Sequence, residues 1–353
     1  DREEFDQANS VQNGTIDGVP VYIDSVMIER NDFITNYLGA KLTSEDSTYW
    51  MVVAKGEGWQ KAFDQAKACF AYPTSEAKAD SLQLLRTYAA MFQDAIFTMT
   101  TQKSPTDSLR SLNYSATYPE YSVFRKPFAP GGLLDGATKT VSSNGVLYET
   151  NDYRLDPTQT YNRKMELEGE NTGYIISSEK CTYTSRSLSA DSISREGYLD
   201  IQPSSNTANW SVKFRLDNVK STAYDVCAVL LPQNITDPKA AAKPYQFKAE
   251  IGYIDGNGSK KSYSCSWLDE KNKKQTKFNF NDPLRVDTVL LAKDFVFPTC
   301  NIYDQTNEYF YLTLSCSMSA AENRKYSRPI YIDCILLKPK ARPEETESGN
   351  EGE

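Results

Sequence analysis

Apolar positions change their spacing along the chain, and the change falls near residues 156–165. Before it, Trp59, Ala62, Phe63, Ala66 and Phe70 recur at helical intervals, and Leu82, Leu85, Ala89, Phe92 and Ile96 do the same. Both sets predict amphipathic helices packed on a core. The first should stop at Pro73, and the second runs into the strand-like segment 95–99. Met51-Val52-Val53-Ala54, just ahead of the first helix, reads as a short buried strand. After Asp156-Pro157 the helical period is gone. Trp210, Val212, Phe214 and Leu216 alternate with Ser211, Lys213 and Arg215, which predicts a strand with one face buried. Segments 224–231 and 245–254 follow, the latter entering the hairpin turn Asp255-Gly256-Asn257-Gly258; segments 286–297, 308–316 and 329–337 complete the set. The pattern predicts a mixed α and β domain over 1–160 and an all-β antiparallel sandwich, a jelly roll, over 163–340.

Length agrees with that division, since 353 residues make about two domains at roughly 150 each. The composition narrows the chemistry further. There is no histidine, which excludes the serine–histidine–acid triad, histidine-activated cysteine nucleophiles and histidine-held zinc or haem. Lys and Arg number 39 against 47 Asp and Glu, a net charge of −8, so the chain lacks the basic field that nucleic acid or an anionic membrane requires. Half of that excess lies from Arg342 to Glu353, where five Glu face one Arg, and residues 341–353 read as a disordered acidic tail. No apolar run approaches the ~20 residues that span a bilayer. The chain opens at Asp1 with neither signal peptide nor initiator Met, and reads as a mature or trimmed form. Seven cysteines without a CxxC spacing predict mostly buried free thiols, with a disulfide framework as the alternative.

Two stretches of the leading half carry a family resemblance. Met51-Val52-Val53-Ala54-Lys55-Gly56-Glu57-Gly58-Trp59 resembles the strand-then-helix motif of fasciclin-like domains, with Lys55 and Gly56 replacing the family's proline and Asp or Asn. Ser143-Asn144-Gly145-Val146-Leu147-Tyr148, followed by Leu155-Asp156-Pro157, resembles that family's Asn-Gly turn and closing strand. The resemblance covers roughly residues 20–160 in the form found in surface lipoproteins of Gram-negative gut bacteria. It implies an α+β fasciclin-like fold, adhesion or polysaccharide contact, and an extracytoplasmic outer-membrane lipoprotein anchored, if at all, by a lipid upstream of Asp1. The Tyr-His motif of integrin-contacting members cannot exist here. The second half resembles galactose-binding-like or carbohydrate-binding-module sandwiches, through Met165-Glu166-Leu167-Glu168-Gly169-Glu170 at its start and Ile330-Tyr331-Ile332-Asp333-Cys334-Ile335-Leu336-Leu337 at its end. That resemblance implies neighbouring first and last strands and a structural calcium ion held by Glu168 and Asp333. The alternative, that both acids are solvated or paired with Lys or Arg, stays open.

Sugar recognition needs flat aromatic faces beside amide or hydroxyl groups. Trp210, Tyr263 and Trp267 stand at such loop–strand junctions; the parity Trp210 shares with Val212 and Phe214 favours a core role for it over a platform, and Trp267, beside Asp269 and Glu270, reads as the exposed platform. Trp50 and Trp59 read as core. No catalytic residue stands out, and no cofactor is required. The expected function is non-catalytic recognition of polysaccharide or a surface protein. The rivals are a protein–protein scaffold and a carboxylate-dependent glycosidase.

Overall fold

The structure, a computed structural model, describes residues 2–31, 33, 40, 42, 45–99, 102, 104–112, 122–237, 239–265, 267–269, 274–301 and 309–340, with backbone alone at 2, 29–30, 267–269 and 274–275. The acidic tail expected at 341–353 lies outside them. The chain divides into two compact units, Asp1–Asp64 with Thr87–Asp156, and Gln65–Arg86 with Pro157–Glu353.

The first unit is mixed α and β. Its four-stranded sheet runs in the order Ile96–Thr98, Tyr49–Ala54, Gly145–Thr150, Thr138–Ser142. Tyr49–Ala54 pairs parallel with Gly145–Thr150, and parallel neighbours need a long crossover between them. Helices α1 (Gly56–Ala68) and α2 (Ala79–Gln93) lie in that connection. Gly56 leaves the strand with φ +63°, a left-handed turn that a side chain would strain. Val52, Phe97, Leu109, Tyr148 and Leu155 fill the core, and buried Asp94 accepts hydrogen bonds from the Ser111 and Ser122 hydroxyls at 2.6 and 2.7 Å. Trp50 packs edge-on against Tyr148, while Trp59 packs against Phe63 and Phe92. Two details depart from the periodicity. α1 ends at Ala68, because the Cys69 and Phe70 amides close the last turn onto Ala66 and Lys67, and Ile96 belongs to a strand. The ribbon formed by Arg2–Phe5 with Met27–Arg30 and Val11–Ile16 with Val19–Asp24 carries no period that marks it, since neither face of its hairpin is buried.

The second unit is an antiparallel β-sandwich. One sheet has the order Cys181–Ser187, Gly197–Pro203, Ile330–Pro339, Ala223–Leu231, Asp287–Val296, with Met165–Glu168 also on Ile330–Pro339. The other has the order Ile175–Glu179, Ser211–Arg215, Tyr311–Ser315, Gln246–Ile254, Lys260–Cys265, with Asn279–Phe280 also on Gln246–Ile254. Inward residues of the two sheets form the core. Leu199, Ile201, Val226, Leu230 and Leu337 from one, and Val212, Phe214, Ile251, Leu312 and Leu314 from the other, are at most 2% exposed. Residues 65–86 are tied to this unit by the backbone: the Ser221 amide donates to Cys69 O (2.9 Å), Cys300 to Ala71 O (2.8 Å) and Thr74 to Gly256 O (2.9 Å). All seven cysteines are free thiols, and all but Cys181 are buried. No helix among the described residues is long and apolar enough to cross a membrane.

Candidate functional site

Alternation along a half-buried strand sends one set of side chains to the core and the other to the opposite face. In Ser211–Arg215, Tyr311–Ser315 and Gln246–Ile254, the core takes Val212, Phe214, Leu312, Leu314, Ala249 and Ile251. The opposite face therefore presents Lys213, Arg215, Tyr311, Thr313, Lys248, Glu250 and Gly252. Register puts Lys213, Thr313 and Glu250 side by side across three strands, and Arg215, Tyr311 and Gly252 in the next row.

Tyr311 dominates this face. Its ring leans across the neighbouring strand onto Gly252, where a Cβ would overlap Cε1, Cζ and Cδ1. The only residue without a Cβ is therefore what lets the ring lie down, and a glycine inside a strand commonly marks such a close approach. The phenol donates to Glu250 Oε1 at 3.2 Å, fixing the ring's direction, and burial followed by the Glu250 charge pushes the phenol above its ordinary range. The Lys213 ammonium lies over the ring, 4.2 Å from its centroid. Arg215 grips Asp217 through two bonds of 2.7 and 3.1 Å. Thr313 Oγ1, between Lys213 and Glu250 in the register, is shielded from solvent and has no hydrogen-bond partner. The arrangement is a flat, oriented aromatic ring on a sheet surface, surrounded by cations and hydrogen-bonding groups, and that is the physical requirement for stacking a pyranose.

The aromatic residues singled out by sequence lie elsewhere. Trp210 is 2% exposed and its indole Nε1–H donates to Arg328 O at 2.8 Å, so it belongs to the core and offers no face to a ligand. Arg328 in turn satisfies Ala208 O and Asn209 Oδ1, at 3.0 and 2.9 Å. Trp210→Phe should therefore destabilise the chain by about 2 kcal/mol, through the orphaned carbonyl and lost volume, as read by urea denaturation. An unchanged midpoint would show the indole hydrogen bond to be dispensable. Tyr263 pairs with the fully buried Ile251 and packs on Phe295, with centroids 5.0 Å apart. It is 40% exposed, yet it sits at the sandwich rim on the core side of its strand, away from Tyr311. The Trp267 side chain lies outside the described residues.

Glu168 and Asp333 do come together. Met165–Glu168 pairs with Ile330–Pro339, Glu168 standing opposite Cys334. Ser194 bridges the two acids: its hydroxyl donates to Glu168 Oε1 (2.9 Å) and its amide to Asp333 Oδ1 (3.0 Å). Arg195 Nε adds an ion pair to Glu168 Oε1 at 3.0 Å. The bridging loop is wound left-handed at Arg195 (φ 46°) and Glu196 (φ 58°), at roughly 1–2 kcal/mol per residue, and this winding carries the guanidinium onto the acid. Burial, then Glu168, Glu170 and Glu166, push Asp333 up to about 7; burial also raises Glu168, against the Ser194 hydrogen bond and the Arg195 charge. Buried Glu168 Oε2 and Glu170 Oε2 lack hydrogen-bond partners, which is the kind of vacancy a hard cation fills. The rest of the set does not fit one. No group of three Cys, Asp or Glu among the described residues is arranged to hold a metal, and the guanidinium already neutralises Glu168. Pairing with Arg, the alternative in the sequence reading, is what the geometry displays for Glu168.

The chain matches no protein-family model and no curated protein. Solved structures with some likeness include the CBM22-1–GH10 modules of Clostridium thermocellum endo-1,4-beta-D-xylanase 10B complexed with xylohexaose (TM-score 0.30, 10% identity, 50% of this chain and 28% of that one). Two others are a xylan-binding domain from CBM 22 (TM-score 0.29, 10% identity, 49% and 92%) and the C-terminal family 22 carbohydrate binding module of the same xylanase (TM-score 0.30, 10% identity, 49% and 90%). At that distance the likeness carries no weight for function.

Proposed function

We propose that the chain is a non-catalytic glycan-binding protein, and that the outward face of the sheet built from Ser211–Arg215, Tyr311–Ser315 and Gln246–Ile254 holds the sugar. The observation that carries this reading is the Tyr311 ring lying on Gly252, oriented by Glu250. A ring so placed covers the apolar C–H side of a pyranose, while Lys213, Glu250 and Arg215 stand within reach of its polar edge. The groups around the ring donate, accept and carry charge, and the reading assigns them binding rather than bond cleavage. Action at a bacterial surface belongs to the same reading, supported by the fasciclin resemblance of residues 20–160 and by the strand–helix succession of Tyr49–Ala54 and α1.

The test is a polysaccharide panel screened with the full chain by affinity electrophoresis, then calorimetry on each ligand retained. Tyr311→Ala should weaken binding at least about tenfold, the ~1.4 kcal/mol expected for one stacking ring, and Tyr311→Phe should keep most of it. Binding that survives Tyr311→Ala intact would move the site elsewhere. Absence of any glycan ligand would end the reading.

A further inference from the structure

Resting on that reading, we infer that this face selects a polysaccharide bearing free carboxylates, a polyuronate, over a neutral one. Three lysines of this sheet rest on aromatic rings. Lys213 lies over Tyr311 at 4.2 Å, Lys248 over Phe278 at 5.2 Å and Lys260 over Tyr309 at 3.4 Å from the ring centroid. Lys248 stands opposite Ser315, Lys213 opposite Thr313, and Lys260 keeps the parity of Ser262 and Ser264, so all three belong to the outward face of one sheet.

None of the three has a carboxylate partner among the described residues, although the chain as a whole carries more acids than bases. The contrast with their neighbours is informative: Arg215 is paired with Asp217, and Lys261, one residue from Lys260, with Asp255. A chain of net charge −8 that leaves three ammonium groups on one surface resting only on aromatic rings has kept local positive charge available. A cation–π contact is weaker than an ion pair with a carboxylate, so an acidic ligand competes with the rings for these ammonium groups.

Lys213 decides between ligand classes. One side of the Tyr311 ring is against Gly252, and the ammonium stands over the ring, in the position a stacked sugar would take. A neutral pyranose must displace that cation into water without return. A uronate stacks in its place and gives the displaced ammonium a carboxylate, so the same movement opens the ring and forms an ion pair. Repeating carboxylates along a polyuronate then meet Lys248 and Lys260 beyond the first contact.

The test uses the full chain with polygalacturonate and alginate, against two neutral chains, fully methyl-esterified pectin and unsubstituted xylan, and with polyglutamate as a control for bare charge. Calorimetry at 50 mM NaCl should show a free polyuronate binding at least about tenfold tighter than either neutral chain, and raising NaCl to 500 mM should remove most of that advantage. Lys213→Gln should lower polyuronate affinity about tenfold, and Lys213→Arg should keep it. Equal affinity for neutral and acidic chains, unaffected by Lys213→Gln, would overturn this inference and leave glycan binding standing. Polyglutamate bound as tightly as the polyuronate would also overturn it, by reducing the site to bare charge. If no polysaccharide binds, acidic or neutral, the underlying reading falls with it.

Discussion

Gly252→Val is expected to weaken glycan binding as far as Tyr311→Ala does, at least about tenfold, in a chain that still folds. A Cβ at residue 252 would overlap three atoms of the Tyr311 ring, so the ring must rise off the sheet and release Glu250. The substitution is mild for the backbone, since valine favours strands and Gly252 is paired on both sides within Gln246–Ile254. Its effect should therefore concentrate on the ring. Because both changes act through one side chain, adding Gly252→Val to Tyr311→Ala should cost little more than Tyr311→Ala alone. Calorimetry with a ligand from the panel, alongside circular dichroism, separates the outcomes. Parental affinity in a folded Gly252→Val protein would show that the ring's position is irrelevant to binding.

Asp333→Asn should stabilise the protein at pH 8 and change little at pH 4. The Asp333 carboxyl is pushed up to about 7 in the folded chain by its burial and by Glu168, Glu170 and Glu166, while the unfolded chain holds it near the usual 3.8. A group whose folded pKa is raised favours folding only while it keeps its proton. The favourable contribution is complete below about 4, falls by up to about 1.4 kcal/mol per pH unit as the unfolded state ionises first, and is gone once the folded carboxyl titrates near 7. Asparagine cannot ionise, and its Oδ1 still accepts the Ser194 amide. The variant's advantage should thus grow from pH 4 to pH 7 and then level off in thermal denaturation. Glu168, which burial shifts in the same direction, leaves a slope of the same sign behind in both proteins. A parent and variant with parallel pH profiles would show that Asp333 titrates as an ordinary acid.

Much of the architecture could be read from spacing, and the reason is burial on one face. Trp210, Val212, Phe214 and Leu216 gave their strand away because every second residue meets the core. Ile175–Glu179 and Cys181–Ser187 did not, because their side chains are largely exposed and obey no such pattern. α1 and α2 were legible from their apolar stripes, but the assignment of 65–86 to the sandwich unit rests on backbone bonds from Ser221, Cys300 and Gly256, which leave no trace in composition. The neighbouring strands of Glu168 and Asp333 were anticipated through resemblance; Arg195, which answers Glu168, was invisible because its approach depends on a left-handed loop. At Trp210 hydrophobicity and platform geometry make opposite demands, and the core role that its parity with Val212 and Phe214 favoured is the one the structure shows. The usable signal was quieter: Gly252 inside an otherwise strong strand, and Tyr311 on the outward parity, between the buried Phe310 and Leu312.

Ile330–Pro339, the last strand in sequence among the described residues, occupies the interior of its sheet between Gly197–Pro203 and Ala223–Leu231 and also receives Met165–Glu168. A ribosome making this chain N-terminus first must therefore release almost all of the sandwich before three earlier strands acquire the neighbour they share. Until then their ladder edges stay open to one another and to other nascent chains, which makes the interval before residues 330–339 emerge the hazardous one and favours slow, all-at-once closure over assembly in stages.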